Sequence, residues 1–364
     1  MIPAQYYQLA YLYLIIFLSI IACVNDSKKT YRQLCNQRSN WVFPMVFCLL
    51  SAIWMGHRPI SGIFGDTPTY AGYFRLMQLG DMPNYDGEWV WTHFMYICAQ
   101  FMDVSDCFTL IDIGYIGFML WGCYKLMPNG GWTAMLFCLG AFSFFSYGTN
   151  GIRNGLACSI VIVALAYACG NKTQKLFAAI MAFIAFNIHH STSLPILMAI
   201  ASMFFIRSFK QAYIFWILSI AMSLVAGSAI TSIFATLGFD DRLSYLQSEM
   251  DSSSFSHTGF RWDFLLYSMM PIVLGYYVVI KRGIRNTTYE LLLNTYTLSN
   301  AFWVMVIRAN FSNRFAYLSW FLYPIVLVYP LLKLDIWEDS QGRKLAGIML
   351  AHIGFTWFMN VIYY

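Results

Sequence analysis

Charge is scarce in this sequence. Asp, Glu, Lys and Arg make up 11% of its 364 residues, where a soluble domain carries roughly 25%. Apolar residues fill 59%. A chain so poor in charge cannot cover its apolar surface in water, which excludes a soluble enzyme and leaves a membrane protein. Also missing are a Gly-rich phosphate loop, any long soluble segment and any internal repeat. One membrane domain over 1–364 is therefore expected, without a nucleotide-binding partner domain. The nine cysteines form no Cys-x-x-Cys pair. Most, Cys48, Cys138 and Cys158 among them, fall inside apolar runs and read as small apolar residues, not as disulfides or metal ligands. The first apolar stretch, Tyr7 to Val24, has no basic flank before it and no small-residue cleavage site after it. It reads as a retained span and not as a secretory signal.

What is present is a succession of apolar runs, at about 3–24, 41–57, 107–126, 132–147, 152–170, 175–188, 194–206, 211–237, 264–280, 288–307, 315–332 and 345–363. Several are shorter than the ~20 residues a helix needs to cross the hydrocarbon layer. The runs 175–188 and 194–206 are too long together for one crossing and short for two. They predict two short helices meeting at the polar turn His189-His190-Ser191-Thr192-Ser193, with Pro195 opening the second.

Basic loops set the orientation. Lys28, Lys29, Arg32, Arg38, Lys125, Lys172, Lys175, Arg207, Lys210, Lys281, Arg282, Arg285, Lys333, Arg343 and Lys344 all fall on the cytoplasmic side if the chain crosses twelve times with both termini outside. The weakly apolar run between Glu88 and Met102 would invert every later loop if it crossed, so a re-entrant or interfacial outer helix is expected there. The basic residues left outside are Arg58, Arg75, Arg153, Arg242, Arg261, Arg308 and Arg314, and none is lysine. Arginine grips phosphate or carboxylate through a planar fork and tolerates partial burial. The outer face therefore reads as built for an anion at the membrane surface.

Three polar clusters interrupt apolar sequence at these outer ends. Gly148 to Gly155 places Arg153 in the first turn of a helix, where the helix N-terminus and a guanidinium together suit phosphate. In the turn after residue 188, adjacent His189 and His190 point to different sides and cannot chelate as an i, i+4 pair, so no metal is expected. A histidine there suits a phosphate contact or proton transfer. The third cluster, Arg308 to Arg314, interleaves two arginines with amides. Two outer loops are long enough to shape a pocket, 58–88 and 238–263. The first holds Asp66 directly after Gly65, with Tyr70, Tyr73, Tyr85 and Trp89 suited to sugar faces. The second holds Asp240, Asp241, Glu249, Asp251 and Arg261.

These clusters resemble the EpsG family of polysaccharide polymerases, grouped with the Wzy-type O-antigen and capsule polymerases. The matching residues are Gly65-Asp66-x3-Tyr70, Glu88, Arg153-Asn154-x2-Ala157, Phe186-Asn187-Ile188-His189-His190-Ser191 and Arg314-x2-Tyr317. Asn154 stands where Gln is common, and Thr192 where Ala is. The resemblance implies an all-α, GT-C-like polytopic membrane glycosyltransferase of the bacterial inner membrane with its active site facing the periplasm. Its donor would be a growing glycan on undecaprenyl diphosphate and its acceptor one repeat unit on the same lipid. Arg153, Arg308 and Arg314 would serve the departing diphosphate. His189 would take phosphate contact or proton transfer, and Asp66 would be a base for the acceptor hydroxyl. Tyr70, Glu88 and Arg261 would contact substrate. No cofactor is expected. The expected partners are undecaprenyl-diphosphate-linked oligosaccharides and the lipid bilayer, with a chain-length regulator as an optional third, and no nucleic acid.

The rivals are a lipid-linked oligosaccharide flippase, an O-antigen ligase and a membrane acyltransferase. A flippase needs charges deep in a central cavity, whereas Asp112 and Glu290, the acidic residues near spans, have no buried Arg opposite them that the sequence reveals. An acyltransferase of this kind keeps an early Arg-x10-His arrangement, which the chain lacks.

Overall fold

A computed structural model describes residues 2–37, 40–82, 87–237, 259–308 and 312–363, with the side chains of 228–237 and 312 left aside. Tyr85, Asn310 and the loop residues Asp240, Asp241, Arg242, Glu249 and Asp251 lie outside the described residues. Among the described residues every regular element is helical. The main helices are α1 (Tyr7–Asp26), α2 (Tyr31–Asn36), α3 (Val42–Gly56), α4 (Thr67–Gln78), α5 (Trp89–Ala99) and α6 (Val104–Leu126). They continue through α7 (Gly131–Leu139), α8 (Phe144–Thr149), α9 (Ile152–Ala168), α10 (Lys172–Ile188), α11 (Ser193–Phe204) and α12 (Phe209–Leu237). The series closes with α13 (Trp262–Gly275), α14 (Thr287–Met305), α15 (Ser312–Trp320), α16 (Tyr323–Lys333) and α17 (Gln341–Phe358).

Six helical stretches are long and apolar enough to cross a membrane: Ala4–Asp26, Val104–Leu126, Phe209–Gly227, Trp262–Lys281, Asn313–Lys333 and Glu338–Tyr363. The chain is a multi-pass membrane protein. Val42–Gly56, Ile152–Ala168 and His190–Phe204 are apolar but shorter. The run 288–307 forms α14, which carries Asn294, Thr295, Thr297, Ser299 and Asn300 and is less apolar than those six. The run between Glu88 and Met102 holds α5, whose 11 residues reach about 16 Å, too short to cross.

The chain divides into two compact units, Met1–Thr192 with Val328–Tyr364, and Ser193–Leu327. In the first, α6 packs against α3 and α9, α9 against α10, and α1 along α17. The run 132–147, expected as one span, is broken at Gly140 into α7 and α8. A broken helix inside a membrane frees carbonyls that cost several kcal/mol each if left without a donor. Side chains from other helices supply the donors here. Tyr11 Oη donates to the Leu139 carbonyl at 2.6 Å, and Thr356 Oγ1 donates to the Gly140 carbonyl at 2.8 Å. His352 Nε2 lies 2.9 Å from the Phe137 carbonyl.

In the second unit α14 is the enclosed helix, with α11, α12, α13 and α15 packed on it. That shelter answers its polarity, because polar side chains in a membrane face the bundle interior. Trp216 Nε1 donates to Asn300 Oδ1 at 2.8 Å, and Asn300 Nδ2 donates to Ser319 Oγ at 3.1 Å. Tyr296 Oη reaches the Ser268 carbonyl at 2.7 Å, and Trp320 Nε1 reaches the Ser268 hydroxyl at 2.7 Å.

Candidate functional site

The first unit gathers three of the residues singled out above around one carboxylate. Gly87 takes the left-handed conformation, φ 85°, and turns the chain into α5 with Glu88 at its N-cap position. The Glu88 side chain does not cap that helix. It is buried, 5% exposed, and accepts from three donors instead. Arg153 Nη1 donates to Oε2. His189 Nδ1 donates to Oε1 at 2.7 Å, and the His190 backbone N–H donates to the same oxygen at 2.9 Å.

Local sequence explains why these groups converge. At the end of α10 His189 is extended, φ −154° and ψ 112°, and the chain restarts as a 3-10 turn over His190–Thr192. The break leaves the His190 N–H to donate to Glu88 Oε1, and Thr192 Oγ1 closes the turn on the His189 carbonyl at 2.9 Å. The helices α10 and α11 thus end and begin as the sequence predicted, with Pro195 in the first turn of α11. The two histidine rings part, since His190 stacks on Phe186 with centroids 4.6 Å apart. Arg153 enters in the first turn of α9, also as expected. Gly155 allows that turn to press on α8, for a Cβ there would come within 2.7 Å of the Tyr147 carbonyl. With Nδ1 donating to a buried carboxylate, the lone pair of a neutral His189 ring lies on Nε2.

Asp66 is exposed in the turn before α4, and its backbone N–H donates to Asn150 Oδ1 at 2.9 Å. Its turn is thereby held against the link that leads into α9. Tyr70 is half-buried on α4, edge-on to the buried Trp91 with centroids 6.0 Å apart. Arg261, Arg308 and Arg314 belong to the second unit. Arg261 grips Asp263 through two bonds, Nε to Oδ1 at 3.0 Å and Nη2 to Oδ2 at 2.5 Å, and lies 3.6 Å over the Phe264 ring. Arg308 is exposed, 5.9 Å from the Phe260 centroid, and Arg314 is half-buried.

One expectation needs correction, that Asp112 has no buried Arg opposite it. Of the arginines expected on the outer face, Arg58, Arg153 and Arg261 are each paired with a carboxylate. Asp112 does sit opposite a buried Arg: Arg58 Nη1 lies 3.4 Å from its Oδ2, and both side chains are enclosed. An acid inside the apolar run 107–126 was itself the signal that a partner had to exist. Burial draws the Arg58 guanidinium below its ordinary pKa, and Asp112 opposes that. Glu88, expected as a substrate contact, accepts from both Arg153 and His189. Its one visible signal was an acid placed directly after a glycine at the head of an apolar run.

Among the described residues no three His, Cys, Asp or Glu side chains cluster as metal ligands would. A family model, that of the EpsG family, matches residues 40–363. No curated protein and no solved structure matches the chain.

Proposed function

From its membership of the EpsG family, to which this chain belongs, we propose that it polymerises oligosaccharide repeat units linked to undecaprenyl diphosphate into O-antigen or capsular polysaccharide. The family is that of polysaccharide-polymerase-type membrane glycosyltransferases. In this reading the chain sits in the bacterial inner membrane with twelve crossings, a GT-C-like arrangement, and its site faces the periplasm.

The observation that carries the reading is the buried Glu88 carboxylate holding His189 Nδ1 and Arg153 Nη1 together. A base oriented by a third group is the arrangement that activates a hydroxyl nucleophile. In the proposed step the acceptor hydroxyl attacks the anomeric carbon of the donor glycan. The carbon–oxygen bond to the diphosphate breaks, and undecaprenyl diphosphate leaves with the electron pair. His189 Nε2 takes the acceptor proton, and Glu88 stabilises the imidazolium that forms. Arg153, held in place by Glu88, offsets the charge that grows on the diphosphate. Arg308 and Arg314 are proposed as diphosphate contacts of the second unit. Tyr70 and Arg261 are proposed for the sugars. Asp66, exposed beside Asn150, is the second candidate for the acceptor hydroxyl, and the oriented His189 fits that role better.

Deletion in a host that makes the polymer tests the reading. A polymerase deletion leaves one repeat unit on the outer lipid. Absence of any unit outside points to a flippase, and full polymer still on undecaprenol points to a ligase.

A further inference from the structure

Arg58 and Asp112 take no part in the step above, yet their burial is costly unless every charge is met. Arg58 is 1% exposed and Asp112 is 0% exposed. A charge pair alone needs only its two ends to meet. Here the guanidinium does more. Nη1 donates to the Met55 carbonyl at 3.0 Å and to Asp112 Oδ2 at 3.4 Å. Nη2 donates to the Thr149 carbonyl at 2.9 Å, and Nε donates to the Thr67 hydroxyl at 3.3 Å. That hydroxyl donates in turn to the same Thr149 carbonyl at 2.6 Å. Next to Thr67, the Asp66 N–H binds Asn150 Oδ1 at 2.9 Å. Gly65, φ 58°, lies so close to the Asn150 side chain that a Cβ would collide with it.

One guanidinium therefore clamps two segments that are far apart in sequence. The first carries Asp66. The second, Thr149-Asn150, leads directly into α9 and Arg153. We propose that Arg58 is a positioning residue of the candidate site. Anchored by Asp112, it fixes the Thr149 carbonyl and the Thr67 hydroxyl, and so sets the start of α9 and the Asp66 turn against each other. The effect on turnover rests on the proposed polymerase activity, whereas the clamp itself does not. Lysine keeps the charge but offers one nitrogen where three now act, so it cannot hold Asp112, Thr149 and Thr67 together.

The test uses the full chain in lipid nanodiscs, as wild type, Arg58→Lys, Thr67→Val and Thr67→Ser. Amide hydrogen exchange is followed over 62–70 and 148–156, with 341–358 as a remote reference. Arg58→Lys and Thr67→Val should speed exchange in both segments by about tenfold, the equivalent of one lost hydrogen bond, and leave the reference unchanged. Thr67→Ser keeps the hydroxyl and should restore wild-type exchange. In parallel, Arg58→Lys and Thr67→Val should lower kcat for polymerisation about tenfold to hundredfold with KM for the donor unchanged, and Thr67→Ser should recover it. Unchanged exchange at 148–156 in both variants overturns the clamp. Faster exchange with wild-type kcat overturns the positioning role. If wild-type protein does not polymerise at all, the proposed function falls, and the exchange data still decide the clamp. Thr67→Val, the milder change, keeps the test decisive should Arg58→Lys fail to fold.

Discussion

Replacing Glu88 by Gln is the sharpest perturbation of the proposed site, because it changes one atom and keeps the shape. Glu88 accepts from Arg153 Nη1, from His189 Nδ1 and from the His190 N–H. Glutamine has a single acceptor oxygen. Turned toward the histidines, its amide group faces the Arg153 guanidinium, donor against donor. Turned the other way, it faces the two histidine donors. In either orientation at least one donor loses its acceptor, and Arg153 loses its counter-charge. Hydrogen bonds to charged groups are worth about 1.5–3 kcal/mol each. The Arg153 side chain is 24% exposed, so water recovers part of that loss. A net cost of about 2 kcal/mol at the site corresponds to about thirtyfold in rate. Glu88→Asp keeps the charge but withdraws the carboxylate by one bond length, about 1.5 Å, and should fall between the two. The assay is the polymer ladder of a deletion host complemented with each variant at matched protein level. A Glu88→Gln strain with a normal ladder would refute the hub role.

Three further outcomes follow from the same geometry. Arg153→Lys keeps a positive charge but loses the fork, so most polymerisation should disappear at unchanged protein level, as read on the same ladders. Gly65→Ala combines a left-handed φ of 58° with a collision against Asn150. It should cost about 1–2 kcal/mol in strain alone and lower the thermal midpoint of the purified protein. Polymerisation by purified protein should proceed fully in excess EDTA, because arginine is assigned to neutralise the diphosphate. A ladder that collapses in chelator and returns only with magnesium or manganese would transfer that role to a metal.

The sequence disclosed local features more readily than long-range ones. The turn after residue 188 was legible because a polar pentapeptide and Pro195 stand between two apolar runs, and Arg153 was legible because glycines precede it at a helix start. The break between α7 and α8 was hidden. Gly140 to Ser143 reads as part of an apolar run, and the donors that tolerate the break, from Tyr11 and Thr356, come from distant helices. Glu88 lies 65 residues from Arg153 and 101 from His189, so only folding reveals it as their common partner. Arg58 and Asp112, 54 residues apart, were unpaired to the eye for the same reason. The polarity of α14 was likewise absorbed into an apolar run, since the burial of its polar side chains and the contacts of Asn300 with Trp216 and Ser319 come from tertiary packing that composition does not display.

The most direct test of the central claim uses purified protein in liposomes with a defined oligosaccharide on undecaprenyl diphosphate as both donor and acceptor. Wild-type protein should extend it into a ladder spaced by one repeat unit and release undecaprenyl diphosphate in step, and Glu88→Gln should slow both about thirtyfold. A substrate that remains a single unit, or moves across the bilayer without being extended, would contradict the account.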